Sequence, residues 1–288
     1  MIAYYNNAFL EKKDIRISPD DRGFLFADGL YEVIRSYQGH LLRAKDHITR
    51  LNYGATHLKL SKTDFFEFEE IAYELLKQNN LTSTPATVYI QVTRGPAKRT
   101  HAFPDPVTDL TLYATAAAFD AASALKKQEQ GISVITVPDT RWARCDMKTT
   151  GLTANILANQ TAVENKASEA VFIRDGVMLE GTHSNFMAVF DDVLVTSPLT
   201  NYILGGITRK IVLELCKKEN IKVEERPVFE KDILSASELM IVGTTVEITP
   251  IVKMNHAVIR DGKPGPVVRT LQDAFKGFLA HEKRIYNR

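Results

Sequence analysis

One lysine in the chain sits in a setting suited to covalent chemistry. Lys148 lies in Arg141-Trp-Ala-Arg-Cys-Asp-Met-Lys148-Thr-Thr-Gly151, flanked by Met147 and Thr149 and shortly after the only tryptophan. Partial burial there would desolvate the ammonium, lower its pKa and favour the neutral amine that attacks a carbonyl carbon. A solvated surface lysine is the other reading. Glu180 opens Glu180-Gly-Thr-His-Ser-Asn185, where a carboxylate followed by small polar residues either faces a ligand or terminates a strand. Gly205-Gly206-Ile207-Thr208-Arg209 leads into a pattern that puts Ile207, Ile211 and Leu215 on one helical face. Glycines admit close approach, first-turn N–H groups have no intrahelical partner, and the dipole favours an anion; Thr208 adds a hydroxyl. The same residues also serve as a plain helix start. Thr244-Thr245, after the apolar Leu239–Gly243, offers two more hydroxyls at a strand end or a simple turn. The basic loop Thr93-Arg-Gly-Pro-Ala-Lys-Arg99-Thr-His101 sets Arg99 and His101 two apart. That pairing suits a carboxylate, with solvated loop charge as the alternative.

The elements that must position these groups follow from periodicity. Tyr31, Val33, Arg35 and Tyr37 share one face of a strand, and Gln38-Gly39 turns it into a second short strand. After Lys45 the period becomes helical, with Ile48, Leu51, Ala55 and Leu58 in a stripe. Ser61-Lys-Thr-Asp64 predicts a capping box opening a second helix whose Phe65, Phe68, Ile71, Ala72 and Leu75 face inward. Strands are predicted at Ala86–Thr93, Leu110–Ala116, Ile132–Val137, Asn185–Phe190, Val193–Thr196 and Leu239–Gly243, with a hairpin at Asp175-Gly176. Helices are predicted over about Gly151–Lys166, Gly206–Asn220 and Pro266–Leu279. Strands cluster with helices between clusters, which favours α+β with antiparallel or mixed sheets over a doubly wound fold.

Composition narrows the partners. The 288 residues carry 36 Lys+Arg against 35 Asp+Glu, a formal charge of +1, so no bulk field gathers nucleic acid or anionic membrane. Any anion must be held by a local site. With 44% hydrophobic and 25% charged residues the chain reads as globular, and no apolar run approaches the ~20 residues of a membrane span. Cys145 and Cys216 cannot make a disulfide framework or a cysteine-based zinc site, and no metal site is expected. A reduced, cytoplasmic setting is the expectation, with Cys145 as inert packing. GxGxxG and GxxxxGK[ST] are absent. Ala117–Gln130, small and charged, is read as a linker, giving an N-terminal domain over 1–118, a linker over 119–130 and a cofactor-binding domain over 131–288.

Taken together and in order, these segments resemble the fold type IV family of pyridoxal-phosphate aminotransferases, and within it the D-amino-acid aminotransferases. The resemblance runs from Asp21-Arg-Gly-Phe-Leu-Phe-Ala-Asp-Gly-Leu-Tyr-Glu32 to Asp261-Gly-Lys-Pro-Gly-Pro266. It is carried by Tyr31-Glu-Val33, Arg94-Gly…Arg99-x-His101, Arg141-Trp-x-Arg-Cys-Asp-x-Lys148, Glu180-Gly-x-x-Ser-Asn185, Gly206-Ile-Thr208-Arg209 and Thr244-Thr-x-Glu-Ile-Thr-Pro250.

The resemblance implies a two-domain α+β fold with a small N-terminal α/β domain and a larger C-terminal domain on a mixed, barrel-like sheet. It implies that Lys148 forms the Schiff base with pyridoxal 5'-phosphate and shuttles the proton, and that Glu180 pairs with the pyridine nitrogen. Arg50, Ile207, Thr208, Thr244 and Thr245 would hold the phosphate, with Arg141 near Lys148 and the phosphate end. Tyr31, Val33, Arg99 and His101 would receive the substrate, and the Arg99 loop would reach the active site of a partner in a homodimer. The implied reaction passes an amino group between a D-amino acid of the D-alanine or D-glutamate type and a 2-oxo acid such as 2-oxoglutarate or pyruvate. Two positions depart from the pattern: His183 stands where a small hydroxyl residue is common, and Gly243 where serine or threonine is usual. The imidazole of His183 either narrows the substrate pocket or donates to a nearby carbonyl. Branched-chain L-amino-acid or amine transaminases and aminodeoxychorismate lyases share the fold and are the alternatives. Outside enzymes, a non-catalytic binder of phosphorylated ligands is the rival, against which Lys148 and Glu180 together argue.

Overall fold

Residues 1–286 are described by a computed structural model; the expected end of the second domain at 288 lies outside them. Alternating apolar positions build the first of two units, Met1–Asp120 with Met147–Leu152. Strands β1 (Ile2–Tyr5), β2 (Ala8–Glu11), β3 (Gly29–Tyr37), β4 (His40–Leu41), β5 (Ala86–Thr93) and β6 (Thr111–Ala118) form an antiparallel sheet in the order β2-β1-β6-β5-β3-β4. Leu30, Ile34, Val88, Ile90 and Ala114 turn to one face and are fully buried. There, after the short α1 (Arg22–Phe26), helices α2 (Ala44–His57) and α3 (Glu67–Gln78) contribute Ile48, Leu51, Phe68 and Leu75 to the same core. The other face carries Tyr31, Val33, Tyr89, Gln91 and Tyr113, with Tyr31 stacked on Tyr89 at 5.8 Å between ring centres. The strip Met147–Leu152 joins β3 beyond its pairing with β4. Tyr31 N–H donates to the Lys148 carbonyl and Thr150 N–H to that of Gly29, both at 3.0 Å.

The second unit comprises Ala121–Asp146 and Thr153–Arg288. Its elements are α4 (Ala121–Gln130), β7 (Ile132–Pro138), α5 (Thr153–Glu164), β8 (Glu169–Arg174), β9 (Val177–Gly181), β10 (Asn185–Phe190), β11 (Val193–Thr196), α6 (Ile207–Lys218), β12 (Val223–Glu225), β13 (Val228–Phe229), β14 (Glu238–Gly243), β15 (Glu247–Met254), β16 (Ala257–Val258) and α7 (Pro266–Tyr286). The circuit β10-β14-β15-β7-β8-β9 returns to β10 and closes the sheet; within it β15–β7 and β7–β8 run parallel, and beside it so does β11–β12. Closure rests on a single register pair, Glu180 opposite Asn185. Val134, Val171, Phe186, Ala188, Leu239 and Ile251 fill one core, while Ala158 and Ala162 let α5 approach Ala170 and Phe172 closely. Among the described residues no helix is long and apolar enough to cross a membrane.

Two local expectations are corrected. The capping box at Ser61–Asp64 does not form. Phe65 N–H is held by Asn52 Oδ1 at 3.0 Å and Asp64 accepts from Phe66 N–H at 3.1 Å, so α3 starts only at Glu67. The stretch read as a linker is largely α4, because Ala, Leu, Lys, Gln and Glu are strong helix formers. By contrast the Asp175-Gly176 hairpin follows its sequence signal, with both residues at positive φ (52° and 73°), as a two-residue turn requires.

Candidate active site

In the first unit, the β3 edge sets Lys148 beside Tyr31. Backbone pairing fixes the lysine's Cα, and Nζ donates to the Tyr31 hydroxyl at 3.1 Å from above its ring, 4.2 Å from the centroid. Lys148 is half-buried, and Val33 follows Tyr31 on the same face of the strand. On the opposite face the strand buries a carboxylate: Glu32 is fully enclosed, with Arg50 Nε and Nη2 donating at 2.7 and 2.8 Å and His47 Nδ1 at 2.8 Å. Burial alone would raise the Glu32 pKa, but the Arg50 charge and the bonds from Arg50 and His47 hold it far below the usual carboxylate range. Burial pushes the His47 pKa down, with Arg50 and Lys148 adding to the effect against Glu32. The neutral ring therefore keeps its proton on Nδ1 and leaves Nε2 as an acceptor. The resemblance implied Arg50 as a fork open to a phosphate; two of its nitrogens are turned instead to Glu32. Sequence reasoning missed Glu32 and His47, although a carboxylate between Leu30 and Ile34 on an apolar stripe calls for a cationic partner.

Arg99 and His101 are exposed on the loop between β5 and β6, 5.2 and 5.9 Å from the Phe26 ring centre.

In the second unit the closure point of the sheet holds Glu180. Its Oε1 accepts from Arg141 Nη1 at 2.5 Å, and its Oε2 from Asn185 Nδ2 at 3.1 Å and Leu204 N–H at 3.0 Å. Each of these partners is a donor, so the group is held as an acceptor-only carboxylate. Arg141 is pinned from the other side by Asp139 and lies over the Phe172 ring at 4.2 Å. Burial would lower its pKa, but the carboxylates of Asp139 and Glu180 raise it. Arg141 thus stands beside Glu180, and its Nη2 also donates at 3.1 Å to the carbonyl of Tyr202, in the stretch that leads into α6.

Asn185 also reaches that helix start. A Cβ on Gly206 would stand 1.9 Å from Asn185 Oδ1, so only glycine fits there, whereas on Gly205 it would meet only Leu199 at 3.8 Å. Helix α6 then begins at Ile207 with no side chain capping it, and Thr208 is buried in its first turn. Thr244 and Thr245 stand half-buried in the turn after β14, just past Val242, the register partner of Asn185. His183 and Gly243, the two departures from the family pattern, are neighbours: a Cβ on Gly243 would lie 3.4 Å from the His183 carbonyl. The half-exposed His183 ring turns to a carboxylate rather than a carbonyl, Nδ1 lying 3.1 Å from Glu169 Oε2 and 3.0 Å from Thr182 Oγ1. Fully buried Glu169, also missed from sequence, accepts from Thr182 N–H and the Ser184 hydroxyl as well. Cys145 is buried nearby with its thiol pushed up to about 11, chiefly by desolvation, which keeps it unreactive.

A closed mixed sheet in one unit and an open antiparallel sheet in the other define a fold type IV enzyme. The chain belongs to the amino-transferase class IV family, which matches residues 29–254. It is 37% identical over 277 residues to a D-alanine aminotransferase of Staphylococcus haemolyticus, covering 96% of this chain and 97% of that one. A D-alanine aminotransferase of Bacillus licheniformis is 36% identical over 283 residues, 98% of each. A branched-chain amino acid aminotransferase structure from Escherichia coli superposes with a TM-score of 0.88 at 24% identity, over 96% of this chain and 93% of that one.

Class IV aminotransferases work with pyridoxal phosphate, and the residues present fit it. An acceptor-only carboxylate suits a protonated pyridine nitrogen. In the second unit the start of α6, with no side chain capping it and Thr208 in its first turn, suits a phosphate, and in the first unit Lys148 offers an amine.

Proposed function

We propose that this aminotransferase moves an amino group between a D-amino acid of the D-alanine or D-glutamate type and a 2-oxo acid such as 2-oxoglutarate or pyruvate. The observation that carries the substrate class is the joint exposure of Arg99 and His101 on the loop lying against Phe26, an array of donors suited to a carboxylate. The full-length relatives named D-alanine aminotransferase support the same reading. Bound pyridoxal phosphate supplies an aldehyde carbon for the amino group and a protonated ring that takes up the electron pair released at the α-carbon.

The protein's own groups do the rest. Lys148 would hold the cofactor through its Nζ, and the same amine, once free, would serve as the base that takes and returns the α-proton. Tyr31 holds that Nζ between transfers. Glu180, fixed by Arg141, Asn185 and Leu204, would face the ring nitrogen and keep it protonated. In the second unit Ile207, Thr208, Thr244 and Thr245 would receive the phosphate; Arg50 is the first unit's candidate for the same anion. Tyr31, Val33, Arg99, His101 and the His183–Gly243 pair shape the substrate's surroundings.

A homodimer sharing its active sites is part of the proposal. The exposed Ile156, Leu157 and Val163 of α5 support a second copy as their cover. The two buried free cysteines agree with a reduced, cytoplasmic setting.

Offering D- and L-alanine separately with 2-oxoglutarate tests the reading. Turnover of the D form is expected; turnover of the L form alone would transfer the chain to the branched-chain type. Arg99→Ala is expected to raise KM for the amino acid about 10- to 100-fold, the value of a charged hydrogen-bonded pair, and to leave simple amines unaffected. Equal losses for both would remove Arg99 from the carboxylate.

A further inference from the structure

The segment Asp21–Asp28 carries charges that the proposed chemistry does not use, yet they are almost wholly buried. Asp28 Oδ2 accepts from Arg22 Nε at 2.8 Å and from Arg94 Nε at 2.7 Å, while Oδ1 accepts from Arg94 Nη2 at 3.0 Å. One carboxylate thus orients two guanidinium groups, and each arginine also donates to backbone carbonyls. Arg94 donates to Leu58 and Lys59 at the end of α2, at 2.7 and 3.0 Å, and lies over the Phe103 ring at 3.7 Å. Arg22 Nη1 donates to the carbonyl of Thr100 at 2.7 Å, with that of Ala102 at 3.4 Å. Those carbonyls flank His101 on either side.

The base of the loop is stapled as well. Arg22 N–H donates to Gly95 O and Ala97 N–H to Asp20 O, while Asp21 accepts from Gly23 N–H and from the hydroxyls of Thr93 and Thr111 at the ends of β5 and β6. Phe26 then sits 4.9 Å from Arg22, 5.2 Å from Arg99 and 5.9 Å from His101. An exposed loop of 17 residues between β5 and β6 would ordinarily sample many conformations. Here a buried Asp–Arg pair grips its backbone beside the two side chains that the proposed function needs.

We propose that Asp28, acting through Arg22, is a positioning residue that pre-forms the substrate-carboxylate grip by fixing the backbone on both sides of His101 and the Phe26 platform against Arg99. The inference rests on the reading of Arg99 and His101 as that grip. Pre-formation spares binding the cost of ordering the loop, so its loss falls on substrate affinity rather than on the bond-making rate. Burial by itself would raise the Asp28 pKa, but the two arginines lower it, so Asp28 stays ionised and the clamp stays closed through the neutral range.

The test compares Arg22→Gln, Asp28→Asn, Arg99→Ala and the Arg22→Gln/Arg99→Ala double variant as holoenzymes. Arg22→Gln leaves the Asp28–Arg94 pair intact, and so separates the grip on the loop from the fold. The single-turnover half-reaction is followed with the better-used alanine enantiomer, and amide exchange is read across residues 97–103. Arg22→Gln is expected to raise the half-saturating amino acid concentration about tenfold with the limiting rate within about twofold. Exchange at residues 97–103 quickens about tenfold while Gly29–Tyr37 is unchanged. In the Arg99→Ala background the same change adds less than about twofold, as expected of groups acting through one another. Unchanged half-saturation or unchanged loop exchange in Arg22→Gln, or losses that multiply with Arg99→Ala, would overturn the positioning role. Wild-type half-saturation in Arg99→Ala would instead overturn the carboxylate reading and the proposal resting on it, and the exchange data tell that result apart from a failed clamp.

Discussion

Lys148→Ala is expected to lower transamination by about 10⁴-fold or more. A positioned acid–base group contributes about 10²–10⁴ in rate, and the same substitution removes the covalent hold on the cofactor. Borohydride treatment of the native protein should fix pyridoxal phosphate to the peptide containing Lys148, and that label should disappear in the variant. Circular dichroism and thermal unfolding should change little. The backbone hydrogen bonds that dock the strip onto β3 come from the Lys148 carbonyl and the Thr150 N–H, which alanine preserves. Part of the lost proton transfer should return on adding methylamine, a small base able to enter the space left by the side chain. A variant that keeps more than about a tenth of the turnover, or a label found on another lysine, would refute the assignment.

The second large effect is expected at Glu180. Replacement by Gln keeps the shape and removes the charge, and the geometry gives the amide no satisfactory orientation. Arg141 donates to one oxygen and Asn185 with Leu204 to the other. Whichever way the amide points, its NH₂ meets another donor. Turnover should fall about 10²–10³-fold, the range of losing a pre-organised charge partner in a water-poor site. Cofactor binding should persist through Lys148 and the α6 start. Asp139 still faces Arg141 from the other side, so the variant should fold. Glu180→Asp, a charge set back by one methylene, should fall between the two. Activity of Glu180→Gln within about threefold of the native enzyme would show that the carboxylate does not control the ring.

Local signals made several of these elements legible and hid others. The Asp175-Gly176 turn, the Tyr31/Val33 face of β3 and the hydrophobic face of α6 were readable because each is written within a few residues. The β1–β2 hairpin was missed although Asn6-Asn7, both at positive φ, carries a readable turn signal. Closure of the second sheet was not legible from periodicity, because one register pair creates it and nothing in Glu180 or Asn185 alone specifies the other. The resemblance pointed to a barrel-like sheet and to the candidate chemistry together. What it did not supply were the partners that orient those residues: Glu32 with His47 and Arg50, Glu169 under the Thr182–Ser184 turn, and Asp28 between its arginines. Each is a buried carboxylate whose cations or hydroxyls come from distant parts of the sequence, so only the folded chain brings the charges to balance.

The docking of Met147–Leu152 onto β3 has a consequence for how the enzyme comes into being. Every strand of the first sheet lies before residue 119, so a ribosome finishes that sheet well before it adds Lys148. Domains made first tend to fold first, and every strand that builds the receiving edge of β3 is synthesised before the lysine that docks on it. The strand that fixes the amine is therefore made before the amine it fixes.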